Sequence, residues 1–242
     1  MIEAAVLVGG KGTRLKSVVA DRPKPMAEVA GRPFLEWLLL AIRAEGVQRA
    51  VLCTGYLGQF VSDYFGDGSR IGLELAYSFE PAPLGTGGAL RLALNQLGGA
   101  NVLALNGDSF CRFSIAQLVG AHEQSAARAT LWLAPVADTG RYGSVEVDAG
   151  GAVRAFREKG AAAGPGLINA GVYLLRRECL EALPAGQPAS LERELFPSLI
   201  GRGLFATTGE GTFIDIGLPE TYAAAGQVLS DDLARLVVAG PG

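Results

Sequence analysis

The chain has 242 residues, 49% hydrophobic and 19% charged, with a formal net charge of −3 and a mean hydropathy of +0.28. That length gives one large or two small domains with a substantial core, and the slight acidity, with no Lys/Arg run, argues against a nucleic-acid partner and for a small-molecule substrate. The longest apolar stretches, such as Phe34 to Ile42, are broken by Glu36 and too short to span a bilayer, and Glu3 interrupts any secretory pattern, so the expectation is a cytoplasmic protein with no membrane partner.

Ile2 to Val8 is an apolar, β-branched run that predicts a first buried strand. It runs into Gly9, Gly10, Lys11, Gly12, Thr13 and Arg14, followed by Pro23, Lys24 and Pro25. Glycines after a strand let backbone N–H groups close around an anion, and Lys11, Arg14 and Lys24 add charge. A Rossmann fingerprint would need glycine where Leu15 stands and an acid closing the second strand, where Val51 to Gly55 offers none. The Walker A string is also absent. What remains is a cradle holding a nucleotide as substrate, to be split at its α-phosphate, or else an ordinary turn.

Helical spacing predicts a helix from Phe34 to Glu45, stopped by Gly46, and Ala50 to Thr54 reads as a second strand. A short helix from Gln59 to Phe65, a strand from Leu73 to Tyr77, a helix from Thr86 to Leu97, a strand from Val102 to Leu105 and a helix from Ile115 to Gln124 follow. This alternation calls for a mainly parallel sheet covered on both faces, with ligands at the carboxyl ends of its strands. In the second half, Ala129 to Pro135, Ser144 to Val147, Ala152 to Arg157 and Ile168 to Leu175 are strand-like and are expected to extend the same sheet as mixed or antiparallel strands, with helices near Arg177 to Leu183 and Leu191 to Leu195. Gly160 to Gly166 lacks large side chains, which suits a mobile loop, and the tail after Asp231 is expected to fray. The three cysteines, Cys53, Cys111 and Cys179, are far apart and lack metal-ligand spacing, as for reduced structural thiols.

Several groups along this frame carry chemistry. Asp108, in Asn106-Gly107-Asp108, directly follows an apolar strand and suits either a Mg²⁺ ligand or an Asx-turn. Asp215 interrupts the apolar Phe213 to Ile216, where an acid must be paired or metal-bound, and is the natural second ligand. Leu84, Gly85, Thr86, Gly87 and Gly88 let a flat base approach the backbone, and Glu80 is either an acceptor for guanine N–H groups or an exposed acid. Glu158 and Lys159 suit a sugar phosphate or a solvated salt bridge, and Asn169 with Gly171 could meet a hydroxylated ring. His122, the only histidine, is read as a surface or capping residue without a role.

The glycine turn with Pro23-Lys24-Pro25, the Leu84 to Gly88 loop, Asn106-Gly107-Asp108, Glu158-Lys159, Asn169-Ala170-Gly171 and Asp215 to Glu220, in this order over residues 1 to 225, resemble the sugar-1-phosphate nucleotidylyltransferases. Within that family the chain is most similar to the enzymes that guanylylate D-glycero-D-manno-heptose 1-phosphate, on its base loop, its length and Ser190 to Pro197. The resemblance implies a Rossmann-like α/β fold of the nucleotide-diphospho-sugar transferase type, a single domain with a nucleotide-binding lobe (1–125), a sugar-phosphate lobe (126–230) and a tail (231–242). It implies GTP and a sugar 1-phosphate as substrates, with mannose 1-phosphate or a uridylyl transfer as alternatives, and a silent nucleotide-sugar-binding regulator as the alternative of another class. A homodimer through an exposed apolar face is compatible with it. It further implies that Arg14, Lys24 and Asp108 are catalytic. Leu7, Gly9, Gly10, Lys11, Gly12, Thr13, Glu80, Leu84, Gly85, Thr86, Gly87, Asn106 and Gly107 would hold the nucleotide. Gly143, Glu158, Lys159, Asn169 and Gly171 would hold the sugar phosphate, and Asp108 and Asp215 would bind Mg²⁺. Two departures from the family pattern are Lys16 to Val19 in place of Pro-Leu-Thr and Leu218 in place of a threonine.

Overall fold

The computed structural model describes residues 2–10, 22–160 and 164–238. Lys11, Gly12, Thr13 and Arg14, and the middle of the Gly160 to Gly166 loop, lie outside the described residues. In chain order the elements are β1 (Ala4–Leu7), a hairpin of β2 (Glu28–Val29) and β3 (Arg32–Pro33), α1 (Phe34–Ala44), β4 (Arg49–Thr54), α2 (Gly58–Phe65), β5 (Glu74–Phe79), α3 (Gly85–Ala93), β6 (Asn101–Asn106), β7 (Ser109–Cys111) and α4 (Ile115–Gln124). Then follow β8 (Ala129–Val136), β9 (Ser144–Val147), β10 (Val153–Arg157), β11 (Gly166–Arg176), α5 (Arg177–Glu181), α6 (Phe196–Leu199), β12 (Leu204–Thr208), β13 (Phe213–Asp215), α7 (Pro219–Val228) and α8 (Ser230–Val238).

The main sheet has seven strands in the order β12-β8-β11-β6-β1-β4-β5. β6, β1, β4 and β5 run parallel, β11 is antiparallel to both β6 and β8, and β12 is parallel to β8. The central strands are continuously apolar because both faces are covered. Successive residues feed two separate cores: Ala4, Val6, Leu103 and Leu105 face α1 and α4, while Ala5, Val102 and Ala104 face α3 and α5. β1 pairs with β4 on one side and β6 on the other, so the strand order reverses there and a crevice opens beyond their carboxyl ends.

Four expectations need correction. β9 and β10 pair with each other as a separate two-stranded sheet instead of extending the main sheet; β7 and β13 form a further two-stranded ribbon. The helix expected to Leu97 ends as α3 at Ala93 and continues as a 3₁₀ turn from Leu94 to Gln96. The residues after Asp231 do not fray at once: they form α8, whose Leu233 is 5% exposed. His122 is buried, with Nδ1 2.9 Å from Thr130 Oγ1, and burial, reinforced by Arg176, pushes its pKa down to about 4. The three cysteines are free and buried, and among the described residues no helix is long and apolar enough to cross a membrane.

Candidate active site

A cavity of about 710 Å³ opens at the crevice, lined by Leu7, Gly9 and Gly10 after β1, Gly55 and Tyr56 after β4, Glu80 to Pro83 after β5, and Gly85, Thr86 and Ala89 of α3. Glu80 organises it. Its Oε2 accepts the Leu84 amide at 2.8 Å, and a Cβ on Gly9 would lie 2.9 Å from Oε1, so a side chain there would push the carboxylate aside. Half-burial raises the Glu80 pKa, and the Leu84 N–H opposes that rise without cancelling it.

The glycines opening α3 also have a protein neighbour that the sequence did not reveal. The amides of Gly87 and Gly88 both reach Ala189 O, at 2.9 and 3.2 Å, and Ala189 N returns a bond to Leu84 O. Thr86 Oγ1 donates to Glu192 Oε2 at 2.8 Å and accepts from Leu191 N at 2.9 Å. A Cβ at Gly85 would lie 2.6 Å from Ala189 O. The glycines thus admit the segment 187–192, which clamps the loop, and the loop presents to the cavity a fixed wall at Gly85 and Thr86.

At the end of β6, Gly107 N donates to Leu7 O at 2.9 Å, which seats the turn under β1 and brings Asp108 to the crevice. Lys24 Nζ lies 2.7 Å from Asp108 Oδ2. The β7–β13 ladder sets Asp215 opposite Ser109, and Ile216 N reaches Asp108 O at 3.0 Å, so the two aspartates stand on adjacent rungs. Gly217 N fixes Asp215 Oδ1 at 2.8 Å, and a Cβ on Gly217 would lie 3.4 Å from Lys24 Nζ. Arg141 Nη2 completes the row, 3.0 and 2.8 Å from the two Asp215 oxygens. Sequence reasoning missed Arg141: an arginine in a polar loop carries the same local signal as a solvated one. The donor set suits a hard divalent cation, since two part-exposed carboxylates supply a minority of its oxygens and phosphates and water supply the rest.

On the far side, Gly143 packs where a Cβ would lie 2.4 Å from Arg157 O and 3.5 Å from Lys159 N. Asp138 Oδ1 accepts from Gly140 N and Gly164 N, and Gly160 N donates to Gly140 O, so the loop after β8 and the loop after β10 form one unit. Glu158 and Lys159 are exposed on it and form no ion pair among the described residues. Asn169 Oδ1 accepts from Gly171 N at 2.9 Å and its Nδ2 donates to the hydroxyl of fully buried Tyr173 at 3.0 Å, which holds the bulge in β11. Gly171, at φ +76, lies against Asn106, where a Cβ would stand 2.8 Å from Nδ2. Asn106, Asn169 and Gly171 are thereby brought together, and Tyr173, buried under them, was not legible as part of the site.

A family model described as nucleotidyl transferase matches residues 3–231. The chain is 37% identical to mannose-1-phosphate guanylyltransferase of Mycobacterium tuberculosis, covering 99% of this chain and 67% of that protein. It is 35% identical to D-glycero-alpha-D-manno-heptose 1-phosphate guanylyltransferase of Aneurinibacillus thermoaerophilus, covering 93% and 96%. Among solved structures, HddC from Yersinia pseudotuberculosis is similar at a TM-score of 0.85 and 33% identity, covering 94% of this chain and 99% of that one, and HddC complexed with GMP-PN is similar at 0.84.

Proposed function

The chain belongs to the nucleotidyl transferase family, and from that premise we propose that it transfers GMP from GTP to a sugar 1-phosphate, D-glycero-D-manno-heptose 1-phosphate, with release of pyrophosphate. The observation that carries the choice of base is Glu80: a half-buried carboxylate held at one oxygen by Leu84 N, its other oxygen beside Gly9 in the cavity. Guanine presents two adjacent N–H donors on one edge, which a carboxylate accepts and which uracil and adenine do not reproduce. Similarity to guanylyltransferases for heptose and mannose supports the same choice, and coverage of nearly the whole heptose relative favours heptose.

In this reading an oxygen of the acceptor's phosphate, already anionic near neutral pH, attacks the α-phosphorus of GTP. The new P–O bond forms as the bond to the β-phosphate breaks, and pyrophosphate leaves with that electron pair, so no general base is required. The obstacle is repulsion between anions. Lys24, and Arg14 outside the described residues, would offset it, with Leu7, Gly9 and Gly10 on the nucleotide and Glu158, Lys159 and Gly143 toward the sugar phosphate. Asp108 and Asp215 would hold Mg²⁺, which when bound supplies further neutralisation of the phosphates. The first 125 residues would then furnish the nucleotide side and residues 126–230 the sugar side.

The test is pyrophosphate release from each of four nucleoside triphosphates against heptose, mannose and glucose 1-phosphates. GTP with the heptose substrate is expected to give the highest kcat/KM. Highest turnover with mannose 1-phosphate would favour the second reading, which the 37% identity to the mycobacterial enzyme supports. Nucleotide binding with no release from any pair would replace both with a silent regulator.

A further inference from the structure

We propose that Arg141 is a phosphate-directed cation held in reserve: without metal it neutralises Asp215, and a divalent ion arriving at Asp215 releases it to the phosphate of the acceptor sugar. The inference rests on the reading of Asp108 and Asp215 as metal ligands. Arg141 approaches Asp215 end-on. Nη2 alone makes the contacts at 3.0 and 2.8 Å and a third, at 3.3 Å, to Thr221 Oγ1. Nη1 and Nε form no hydrogen bond among the described residues, and the guanidinium lies over the Tyr142 ring, 4.9 Å from its centroid. Arg–carboxylate pairs frequently use the two-pronged fork of the guanidinium; here the Nε and Nη1 edge carries no hydrogen bond among the described residues and can meet another anion.

Asp215 is the fixed member of the pair, because Gly217 N and the β13 ladder hold it. A divalent ion would compete with Nη2 for the same two oxygens and repel the guanidinium beside it, so one site cannot keep both in the present arrangement. The place to which Arg141 can turn is set by its own loop. Gly143, two residues on, packs against Arg157 O and Lys159 N, and Asp138 ties the loop to Gly140 and Gly164. Arg141 therefore pairs with the proposed metal carboxylate from a loop that packs, two residues on, against the strand end bearing the exposed Glu158 and Lys159.

Mn²⁺ serves as the probe, followed by electron paramagnetic resonance on the full chain with a non-hydrolysable GTP analogue, alongside steady-state kinetics of wild type, Arg141→Gln and Arg141→Lys. Arg141→Gln is expected to bind Mn²⁺ about tenfold more tightly, as for two ligands sharing one site, and to raise KM for the sugar 1-phosphate about tenfold while KM for GTP stays within about twofold. Arg141→Lys should recover part of the sugar-phosphate KM, and carries the comparison if the glutamine variant unfolds at a lower temperature than wild type. Unchanged or weaker Mn²⁺ binding in Arg141→Gln, or equal rises in both KM values, would overturn the proposal. Wild type that takes up no Mn²⁺ even with nucleotide would instead overturn the metal-site reading, and the proposal with it.

Discussion

A carboxylate between Gly9, Gly55 and the Leu84 amide is harder to keep ionised than one in water, and Glu80 occupies that place. Burial raises its pKa, and the Leu84 bond only partly opposes this. The sign for stability follows: with a folded pKa above the unfolded one, the ionised carboxylate opposes folding at neutral pH, and that penalty fades as pH falls through the raised value. Glu80→Gln keeps an oxygen for Leu84 N and loses the charge. It is expected to raise the unfolding midpoint at neutral pH by about 2–4 °C, as for roughly 1 kcal/mol in a chain of this size. The same change should lower kcat/KM for GTP about 100-fold, because an amide can accept only one of guanine's two donors. In wild type KM for GTP should climb on acidification at a higher pH than an ordinary glutamate would give, and in the variant that climb should vanish. Equal pH profiles would remove Glu80 from base recognition. Glu80 was legible as a candidate because it stands just before the glycine-rich Leu84 to Gly88 loop, though an exposed acid fitted the sequence equally. Arg141 and Tyr173 were not, since the partners that define them, Asp215 and Asn169, are distant in sequence or set by a bulge.

At the scale of elements, what the sequence made legible was periodicity: the apolar runs that became β1, β4, β6 and β8 and the helical spacing of α1. What it hid was pairing, because nothing within Ser144 to Val147 says whether that strand joins β11 or β10. Glu36 illustrates the same limit. In the sequence it only interrupts an apolar run; in α1 it is 1% exposed and bonded to Arg32 at 2.7 Å, Tyr64 of α2 at 2.9 Å and Arg70 at 2.9 Å. Burial alone would raise its pKa, and the bonds from Arg70, Tyr64 and Arg32 outweigh that and lower it. The cluster fastens α1 to α2 and the turn after it, asymmetrically. In Glu36→Gln the two arginines can turn into water, a loss of about 1 kcal/mol. In the double variant Arg32→Ala, Arg70→Ala the buried carboxylate is left uncompensated, with a loss of about 3 kcal/mol, the low end for a broken buried pair because both arginines are part-exposed. Urea unfolding should rank them in that order. The pH response should also reverse: wild type loses stability as acid reaches the lowered Glu36 pKa, whereas the double variant regains some, its carboxylate now being easier to protonate.

At the scale of the molecule, the placement of β1 between β4 and β6 gathers Gly9, Gly10, Glu80 and Asp108 at one edge of the sheet, while the β7–β13 ribbon carries Asp215 in from outside it. That ribbon is short, and α8 braces it from behind. Asp232 is 8% exposed and lies 3.8 Å from Arg112, the residue that follows β7, and Leu233 packs in the same core as Phe110, Cys111 and α1. Ending the chain after Leu229 would uncover that core and free the ribbon at its far end. The shortened protein is expected to remain folded, since the seven-stranded sheet is untouched, and to unfold about 5–10 °C lower, the equivalent of losing one buried leucine and its neighbours at about 2–3 kcal/mol. The effect on chemistry should be selective. KM for GTP should hold within about twofold, because the cavity wall comes from β1, β4, β5 and α3, whereas, with Asp215 as the proposed Mg²⁺ ligand, the Mg²⁺ concentration for half-maximal turnover should rise several-fold as Asp215 loses its backing. Thermal unfolding and a Mg²⁺ titration of turnover measure the two separately. An unchanged midpoint would mean that α8 contributes nothing to the core, and a GTP KM that rises in step with the Mg²⁺ requirement would mean that the ribbon and the nucleotide wall move as one body.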